Sequence, residues 1–398
     1  MNFASLCCQI KDVVLNVTSW NPARDGYDQI IRYIDLSSVN QDTKTIHLNE
    51  PVVARESPSR ARQLVQTGDV LVSTVRPNLN GVAIIDASLD GATASTGFCV
   101  LRPDEEKLDR AYLFHWVKTS EFISDMVRKA TGASYPAVSD RIVLESKIPL
   151  PLIAEQKRIA AILDKAEELR GLRRKALGEL DAISQSIFLE MFGNPVTNPK
   201  GWETHLLGNL TVEGLQNGLY KTSSDYGEGT PILRIDAFYN GRVTKLDSLK
   251  RVRISLAEQE TYGLQKDDIV INRVNSIEYL GKSALIPKLI EPVVFESNMI
   301  RFRLDRKYTC PRFIVEFLQS SFIKSQIRTG TKDAVNQSSI NQQDVKAFQI
   351  RVPPLPLQQE FARRVEAIES LKTTHRESLA QLNALFASLQ HRAFRGEL

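Results

Sequence analysis

Pro151-Leu152-Ile153-Ala154-Glu155-Gln156-Lys157-Arg158-Ile159 opens a stretch spanning 151–192 that returns at 353–394. Pro353 lies 202 residues after Pro151, and the two copies align at that offset without a gap. Pro151, Gln156, Ala160, Glu167, Leu169, Leu177, Leu180, Ala182, Ser186 and Phe192 all meet an identical residue in the second copy. Ten identities in one ungapped register mark an internal duplication, so the chain reads as two half-molecules in tandem. Each copy is proline-led and about 40 residues long, with no proline after its first turn. At about 1.5 Å per residue, a helix of that length spans roughly 60 Å.

Steps of three and four from Ile159 give Ile159, Ile162, Ala166, Leu169, Arg173, Ala176, Leu180, Ile183 and Ile187. The second copy gives Phe361, Arg364, Ile368, Leu371, His375, Ser378, Leu382, Leu385 and Leu389. This is the spacing of a coiled-coil seam. A stripe that long needs a long partner, and the repetition favours the two copies pairing antiparallel. Arg173 and His375 hold equivalent positions near mid-helix, so they are expected to form a polar layer at the crossing; the alternative is that both face solvent. An oligomerisation coiled coil is the competing use of such helices.

Outside the helices, residues 1–150 and 194–352 alternate β-like runs with turn signals. The first half shows strands at 12–17, 30–36, 70–75, 82–85 and 96–101, then a helix at 111–129. The second half repeats the order, with strands at 202–210, 232–236, 267–274 and 296–304 and a helix at 311–327. Identities between these halves are few, so the scaffold is repeated while its surface has diverged. That suits one geometry presenting two recognition faces, although repeated structural modules would also keep their helices. The fold class is therefore α+β, with globular domains at 1–150 and 194–352 and spacer helices at 151–193 and 353–398.

Composition agrees with a folded chain. At 398 residues, 42% hydrophobic and 25% charged, it can bury two or three cores. A net charge of +4 permits a nucleic-acid partner without demanding one. Cys7, Cys8, Cys99 and Cys310 form no Cys-x-x-Cys pair, which points to a reducing compartment. No signal-peptide pattern opens the chain, and no apolar run approaches the roughly 18 residues a membrane helix needs. The expectation is a cytoplasmic, soluble protein with no membrane contact.

Catalytic patterns fail on inspection. Gly281-Lys282-Ser283 ends like a phosphate-binding loop, but Ser276 occupies the position that motif gives to its first glycine. Pro103-Asp104-Glu105-Glu106-Lys107 places its carboxylates side by side, where they cannot converge on a metal from separate strands. Asn194-Pro195-Val196 lacks the second proline and the aromatic of an adenine-gripping loop. His47, His115, His205, His375 and His391 show no ligand spacing. The expectation is a non-catalytic chain holding no cofactor and no metal.

Ile148-Pro149-Leu150-Pro151-Leu152-Ile153-Ala154-Glu155-Gln156-Lys157-Arg158-Ile159 resembles the Ile-Pro-Leu-Pro-Pro-Leu-x-Glu-Gln-x-x-Ile signature of type I restriction–modification specificity (S) subunits. Val352-Pro353-Pro354-Leu355-Pro356-Leu357-Gln358-Gln359-Glu360-Phe361 resembles a second copy. It departs at Leu357, where the family has an acidic residue, and at Phe361, where it has Ile. Those changes leave open any role for the acidic residue in the second helix. Gly201-Trp202 through Leu207-Gly208 and the closing Phe394-Arg395-Gly396-Glu397-Leu398 are also similar to that family. The resemblance implies that each globular domain is a target recognition domain reading one half of a bipartite, asymmetric duplex DNA site, with the helices setting the gap. It also implies two adenine methyltransferase (M) subunits that carry S-adenosylmethionine, and restriction (R) subunits that use ATP and Mg. A coiled-coil protein-interaction scaffold without sequence-specific DNA binding is the alternative.

Base reading needs side chains that make paired hydrogen bonds from loops able to enter a groove. The first half offers Arg76 and Asn78 after the central strand, with Ser134 and Tyr135 before the helix. The second offers Arg273, Asn275, Asn336 and Gln337, with Tyr220 and Lys221 on an earlier Gly-rich loop. Singly, each also fits a solvated loop residue or a phosphate contact; as sets, the loops carry the reading.

Overall fold

The structure is a computed structural model that describes residues 6–48, 50–330 and 338–398. It divides into two compact units. Unit 1 comprises residues 1–175 and 375–398, and unit 2 comprises residues 176–374. Each unit therefore holds one globular domain, the first part of the helix that follows it, and the closing part of the other helix. The first long helix is Ile153–Phe192 and the second is Leu355–Ala393.

In unit 1, the strands Val14–Leu15, Phe98–Pro103, Val70–Ser73 and Val82–Ile84 form a four-stranded antiparallel sheet in that order. A second sheet orders Tyr33–Ile34, Thr93–Ser95 and Ala61–Leu64. Val70-Leu71-Val72 is apolar on both faces because both are covered: Val70 and Val72 belong to one core cluster and Leu71 to another. In unit 2, Gln216–Asn217, Met299–Phe302, Ile269–Asn272, Ser283–Leu285, Gly241–Val243 and Phe238–Tyr239 make a six-stranded sheet. The three strands Lys250–Val252, Tyr226–Leu233 and Val294–Phe295 lie in another.

The match between 68–75 and 267–274 carries a repeated ion pair. Asp69 accepts the Gln66 N–H at 2.8 Å and both donors of the Arg102 fork at 2.8 Å. Asp268 accepts the Gln265 N–H at 2.9 Å and Arg303 Nε at 2.8 Å. Both carboxylates are buried, and the charge-assisted bonds offset their desolvation.

The helix expected at 111–129 is two helices, Arg110–Trp116 and Ser120–Lys129. Thr119 breaks it: its hydroxyl donates to Trp116 O at 2.7 Å and accepts from the Phe122 N–H at 3.2 Å. A hydroxyl that caps its own backbone competes with helix continuation. The helix expected at 311–327 splits likewise into Pro311–Leu318 and Ser321–Gly330.

Each domain closes by pairing its first strand with the strand leading into the long helix: Cys7–Gln9 with Lys147–Pro149, and Glu203–Leu206 with Gln349–Val352. The duplicated glutamine then ties helix to domain. In unit 1, Gln156 Oε1 accepts the Asp109 N–H at 2.9 Å, and Nε2 donates to Lys107 O and Pro151 O, each at 2.9 Å. In unit 2, Gln358 Oε1 accepts the Cys310 N–H at 2.9 Å, and Nε2 donates to Tyr308 O at 3.1 Å and Pro353 O at 2.7 Å. Both side chains are fully buried, so every bond they make replaces one to water.

The buried stripe of the helices differs from the expected seam at alternate positions. Within unit 1 it runs Ile159, Leu163, Ala166, Arg170 and Arg173, with His375, Leu379, Leu382, Phe386, Leu389 and Ala393 from the other helix. Within unit 2 it runs Leu177, Leu180, Ser184, Ile187 and Met191, with Phe361, Val365, Ile368 and Lys372. Spacing is still three and four, but Leu169, Ile183, Arg364, Leu371 and Leu385 are exposed while their successors turn inward. Leu163, Leu177, Val365, Leu379 and Phe386 fill most of the shifted positions, and long side chains at the polar ones bury their stems. Arg170 lies over the Phe386 ring at 4.4 Å and donates to Asn383 Oδ1 at 2.7 Å, burying its stem while its head stays bonded. Arg173 Nη1 donates to His375 Nδ1 at 3.0 Å, the polar contact expected from their equivalent positions.

Replacing Gln156 or Gln358 with Leu keeps the volume and strands three buried backbone groups. Each variant should lose about 3 kcal/mol in chemical denaturation. A loss under about 0.5 kcal/mol would show that the amide is not an anchor.

Candidate nucleic-acid interface

In unit 1 the chain leaves the central strand Val70–Ser73 and turns at Arg76, whose φ of 50° is left-handed. That conformation costs a non-glycine residue roughly 1–2 kcal/mol and persists only where surrounding bonds impose it. Here the Arg76 N–H donates to Pro136 O at 2.7 Å, and Val75 bridges Ala137. Gly132, at φ +102°, closes the facing loop so tightly that a Cβ would sit 2.9 Å from Tyr135 O. The loops at 75–80 and 131–137 are thereby locked together. Asn80 fastens the far side: its Nδ2 donates to Val117 O at 2.9 Å, and its carbonyl accepts from Lys44 Nζ at 2.6 Å.

What this lock presents is chemically specific. The Arg76 guanidinium lies 4.6 Å from the Tyr135 ring centroid, and the ring is 68% exposed. A stacked guanidinium is stiffened in plane while its edge donors stay free, which suits a purine edge or a phosphate. Asn78 and Ser134 are exposed on the same two loops. All four residues singled out in this half therefore converge.

Unit 2 uses the same plan with different contents. Val274–Asn275 pairs with Ser338–Ser339, and the Ile340 N–H donates to Arg273 O at 2.9 Å. Arg273 is half-buried: Nη1 reaches Ser297 O at 3.3 Å, and Nε is enclosed without a hydrogen-bond partner among the described residues. Asn275 is half-buried, and its Oδ1 caps the next turn by accepting the Ser276 N–H at 2.8 Å. Tyr220 is 75% exposed on a loop held against the same segment, since the Ser297 N–H donates to Leu219 O at 2.9 Å. Gly218 permits that approach; a Cβ there would lie 2.2 Å from Glu296 O. Thus Tyr220 and Arg273 are both fastened to 295–299. Lys221 is turned away: its side chain is 17% exposed and its ammonium pairs with Glu258 at 2.9 Å. Asn336 and Gln337 lie outside the described residues.

Beside these loops stands a cluster that the residue pattern did not reveal. Lys282 Nζ lies 4.0 Å from the Tyr239 ring centroid and 4.8 Å from that of Phe238, and donates to Ile235 O at 2.5 Å. Burial holds its pKa below the ordinary lysine range. Tyr279 joins through the Asn272 Nδ2 bond to its carbonyl at 3.4 Å, and the Tyr239 and Tyr279 rings are partly exposed. Only the fold brings residues 235 and 239 to Lys282, beside its sequence neighbour Tyr279. The Gly-Lys-Ser triplet gave no cue beyond the phosphate-loop ending it fails to complete.

Among the described residues, no group of three or more His, Cys, Asp or Glu is placed to hold a metal ion. No helix among them is long and apolar enough to cross a membrane.

Comparison with known proteins gives three results of one kind. The family described as "Type I restriction modification DNA specificity domain" matches residues 40–180 and again 199–384. The EcoKI specificity subunit of Escherichia coli K12 is 29% identical over 401 residues, covering 95% of this chain and 84% of that protein. The StySPI specificity subunit of Salmonella potsdam is 26% identical over 408 residues, with the same coverage. A chain solved in a study of type I R-M system assembly and conformational transition shares the fold, with a TM-score of 0.60, 23% identity and 98% of each chain covered.

Tyr135→Ala should release the Arg76 guanidinium from its stack, and Arg76→Ala should remove it. Each is expected to weaken duplex binding by roughly 5- to 30-fold in a fluorescence titration at fixed salt, the size of a lost cation–π or bidentate contact. Arg76→Ala binding as tightly as wild type would take this loop out of the interface.

Proposed function

The chain belongs to the type I restriction–modification DNA specificity family, and on that premise we propose how its parts divide the work. It is a non-catalytic specificity subunit; methylation and cleavage belong to other subunits of the complex, and DNA is its ligand. The observation that carries the reading is the double family match, at 40–180 and at 199–384, laid over a duplicated helix. Two tandem specificity domains fit a target in two parts.

Domain 1–150 reads one half-site through Arg76, Asn78, Ser134 and Tyr135. Domain 194–352 reads the other through Tyr220, Arg273 and Asn275, together with Asn336 and Gln337; Lys221 supports its loop through Glu258. Segments 151–193 and 353–398 pair as an antiparallel coiled coil whose pseudo-two-fold passes near Arg173 and His375. The Arg173–His375 bond and the matched stripes in the two units support that arrangement. Two adenine methyltransferase subunits dock on the helices, where Leu169, Leu172, Leu371 and Leu385 stay exposed on otherwise polar surfaces. This chain binds no cofactor itself; S-adenosylmethionine resides in the methyltransferase subunits, and ATP and Mg in restriction subunits. All of this takes place in the cytoplasm.

Co-expression with a cognate methyltransferase, followed by genome-wide mapping of methylated adenines, should give a two-part motif with one fixed gap. A one-part motif, or none, would overturn the reading. In the same assay Arg273→Ala should cut discrimination in one half of the motif by about tenfold, the scale of one bidentate base contact. The other half should be read as before. Loss in both halves, or in neither, would remove Arg273 from the list of base contacts.

A further inference from the structure

In each unit a second polar contact joins domain to helix beyond the glutamine anchor, and the two contacts are chemically different. In unit 1, His115 on the helix Arg110–Trp116 donates Nε2–H to Asp164 at 2.7 Å. His115 is buried, and burial holds its pKa low against the opposing bond to Asp164. At the offset of 202, His115 and Asp164 become Phe317 and Glu366, so unit 2 cannot repeat that bond. There the contact is an ion pair: Arg242 Nη1 meets Glu369 Oε2 at 2.8 Å.

Arg242 is delivered rigidly. It lies on the strand Gly241–Val243, which pairs with Ser283–Leu285 in the six-stranded sheet. The preceding Gly241, at φ +77°, lies against the helix Pro311–Leu318; a Cβ there would come within 2.8 Å of Val315 Cγ1. Any other residue at 241 would strain the backbone and force Val315 or Gln319 to shift. Arg312 and Glu316 of the same helix pair with each other nearby, and Glu316 feels Arg242, Glu369 and Lys372 electrostatically.

Glu369 is equally constrained. Its carboxylate, 12% exposed, also accepts from Lys372 Nζ at 2.8 Å. Lys372, only 5% exposed, reaches Asp181 of the first long helix at 2.6 Å. Four charges therefore alternate from domain to helix to helix: Arg242, Glu369, Lys372 and Asp181. With the cations sharing two carboxylates, the group is neutral, and loss of Arg242 leaves Glu369 and Lys372 paired while removing the link between domain and helix.

Leverage gives this network its consequence. Gln358 holds the domain at the first turn of the second helix, and Glu369 lies 11 residues further along, about 16 Å at 1.5 Å per residue. Gln358 and the packing of Phe361 and Val365 hold the domain over the first turns of the helix, where it can still hinge; the ion pair, displaced further along the axis, removes that hinge. A domain of about 160 residues carries its loops roughly 30 Å from such a hinge. A pivot of about 7° then moves a loop by about 3.5 Å, one base-pair step along a strand.

We propose that Arg242 is a positioning residue whose ion pair with Glu369 fixes the angle of recognition domain 2 on the second helix, and thereby the number of base pairs between the two half-sites. The proposal rests on the specificity-subunit reading above. It assigns Arg242 no base contact.

The test uses the full chain co-expressed with its methyltransferase subunit, with methylated adenines mapped genome-wide. Wild type should methylate a two-part motif at one gap. Arg242→Met keeps the stem and removes the charge; it should raise methylation at gaps one base pair longer or shorter by at least tenfold over wild type. Both half-site sequences should stay unchanged, and Arg242→Lys should restore most of the single-gap preference. Glu369→Gln, which leaves Lys372 paired to Asp181, should broaden the gap as Arg242→Met does, and it supplies the reading if Arg242→Met does not fold. A variant that keeps the single gap, or loses methylation equally at all sites, overturns the proposal while the wild-type motif leaves the specificity reading intact. Failure of wild type to produce a two-part motif overturns both.

Discussion

Everything in each half of this protein hangs on one buried amide. Gln156 and Gln358 each spend their oxygen and both amide hydrogens on backbone groups at the root of a long helix. An apolar residue there would leave those backbone groups unpaired away from water, and a charged residue would bring an unmatched charge. The amide joins the proline entry, the helix that follows the sheet and the long helix itself. The terminal strand pairs, Cys7–Gln9 with Lys147–Pro149 and Glu203–Leu206 with Gln349–Val352, close the domain around the same root.

From that root the halves diverge in a graded way. Aromatic packing beside the anchor is repeated in kind: Phe394 lies against Tyr112 and Trp116 in unit 1, and Phe192 against Phe313 and Phe361 in unit 2. One step out, the buried Asp–Arg pair at the central strand is kept as Asp69–Arg102 and Asp268–Arg303. Further out, the domain-to-helix contact changes type, from His115–Asp164 to Arg242–Glu369. At the loops nothing is kept but the path of the chain. A stacked Arg76 on Tyr135 answers to a half-buried Arg273 beside Ser297. Selection for packing acts on the root, where a change costs stability. The loops are free to change because they touch little of the domain they belong to.

The helices show how far periodicity reaches. Ile159, Ala166, Arg173, Leu180 and Ile187 lie on the buried stripe as their spacing indicates, but Leu163 and Arg170 replace Ile162 and Leu169. Apolarity alone pointed to Leu169 and Leu371, both of which are exposed. Arg170 and Lys372 take the inward positions because each long stem can be buried while its head finds a partner, Asn383 or Phe386 for one and Glu369 with Asp181 for the other. Hydrophobic pattern ranks residue types; it does not see that a neighbour will neutralise a cation.

Sequence by itself determined the duplication, the two long helices, the α+β class, the family and the loops that follow each central strand, because these are written in local order: a repeat at fixed offset, a period, a motif. It also put Arg173 and His375 at equivalent mid-helix positions, leaving either a polar layer or two solvent-facing side chains; the fold decided that they meet. Only the tertiary structure decided that Arg76 stacks on Tyr135, that Lys221 is spent on Glu258, that Tyr239 and Tyr279 gather around Lys282, and that Arg242 reaches Glu369. Apart from Tyr279, three positions from Lys282, those partners lie tens to more than a hundred positions apart, on elements whose approach is set by core packing. A long-range polar contact leaves no period in a single chain, so its partners become visible only once the backbone has brought them within a hydrogen bond.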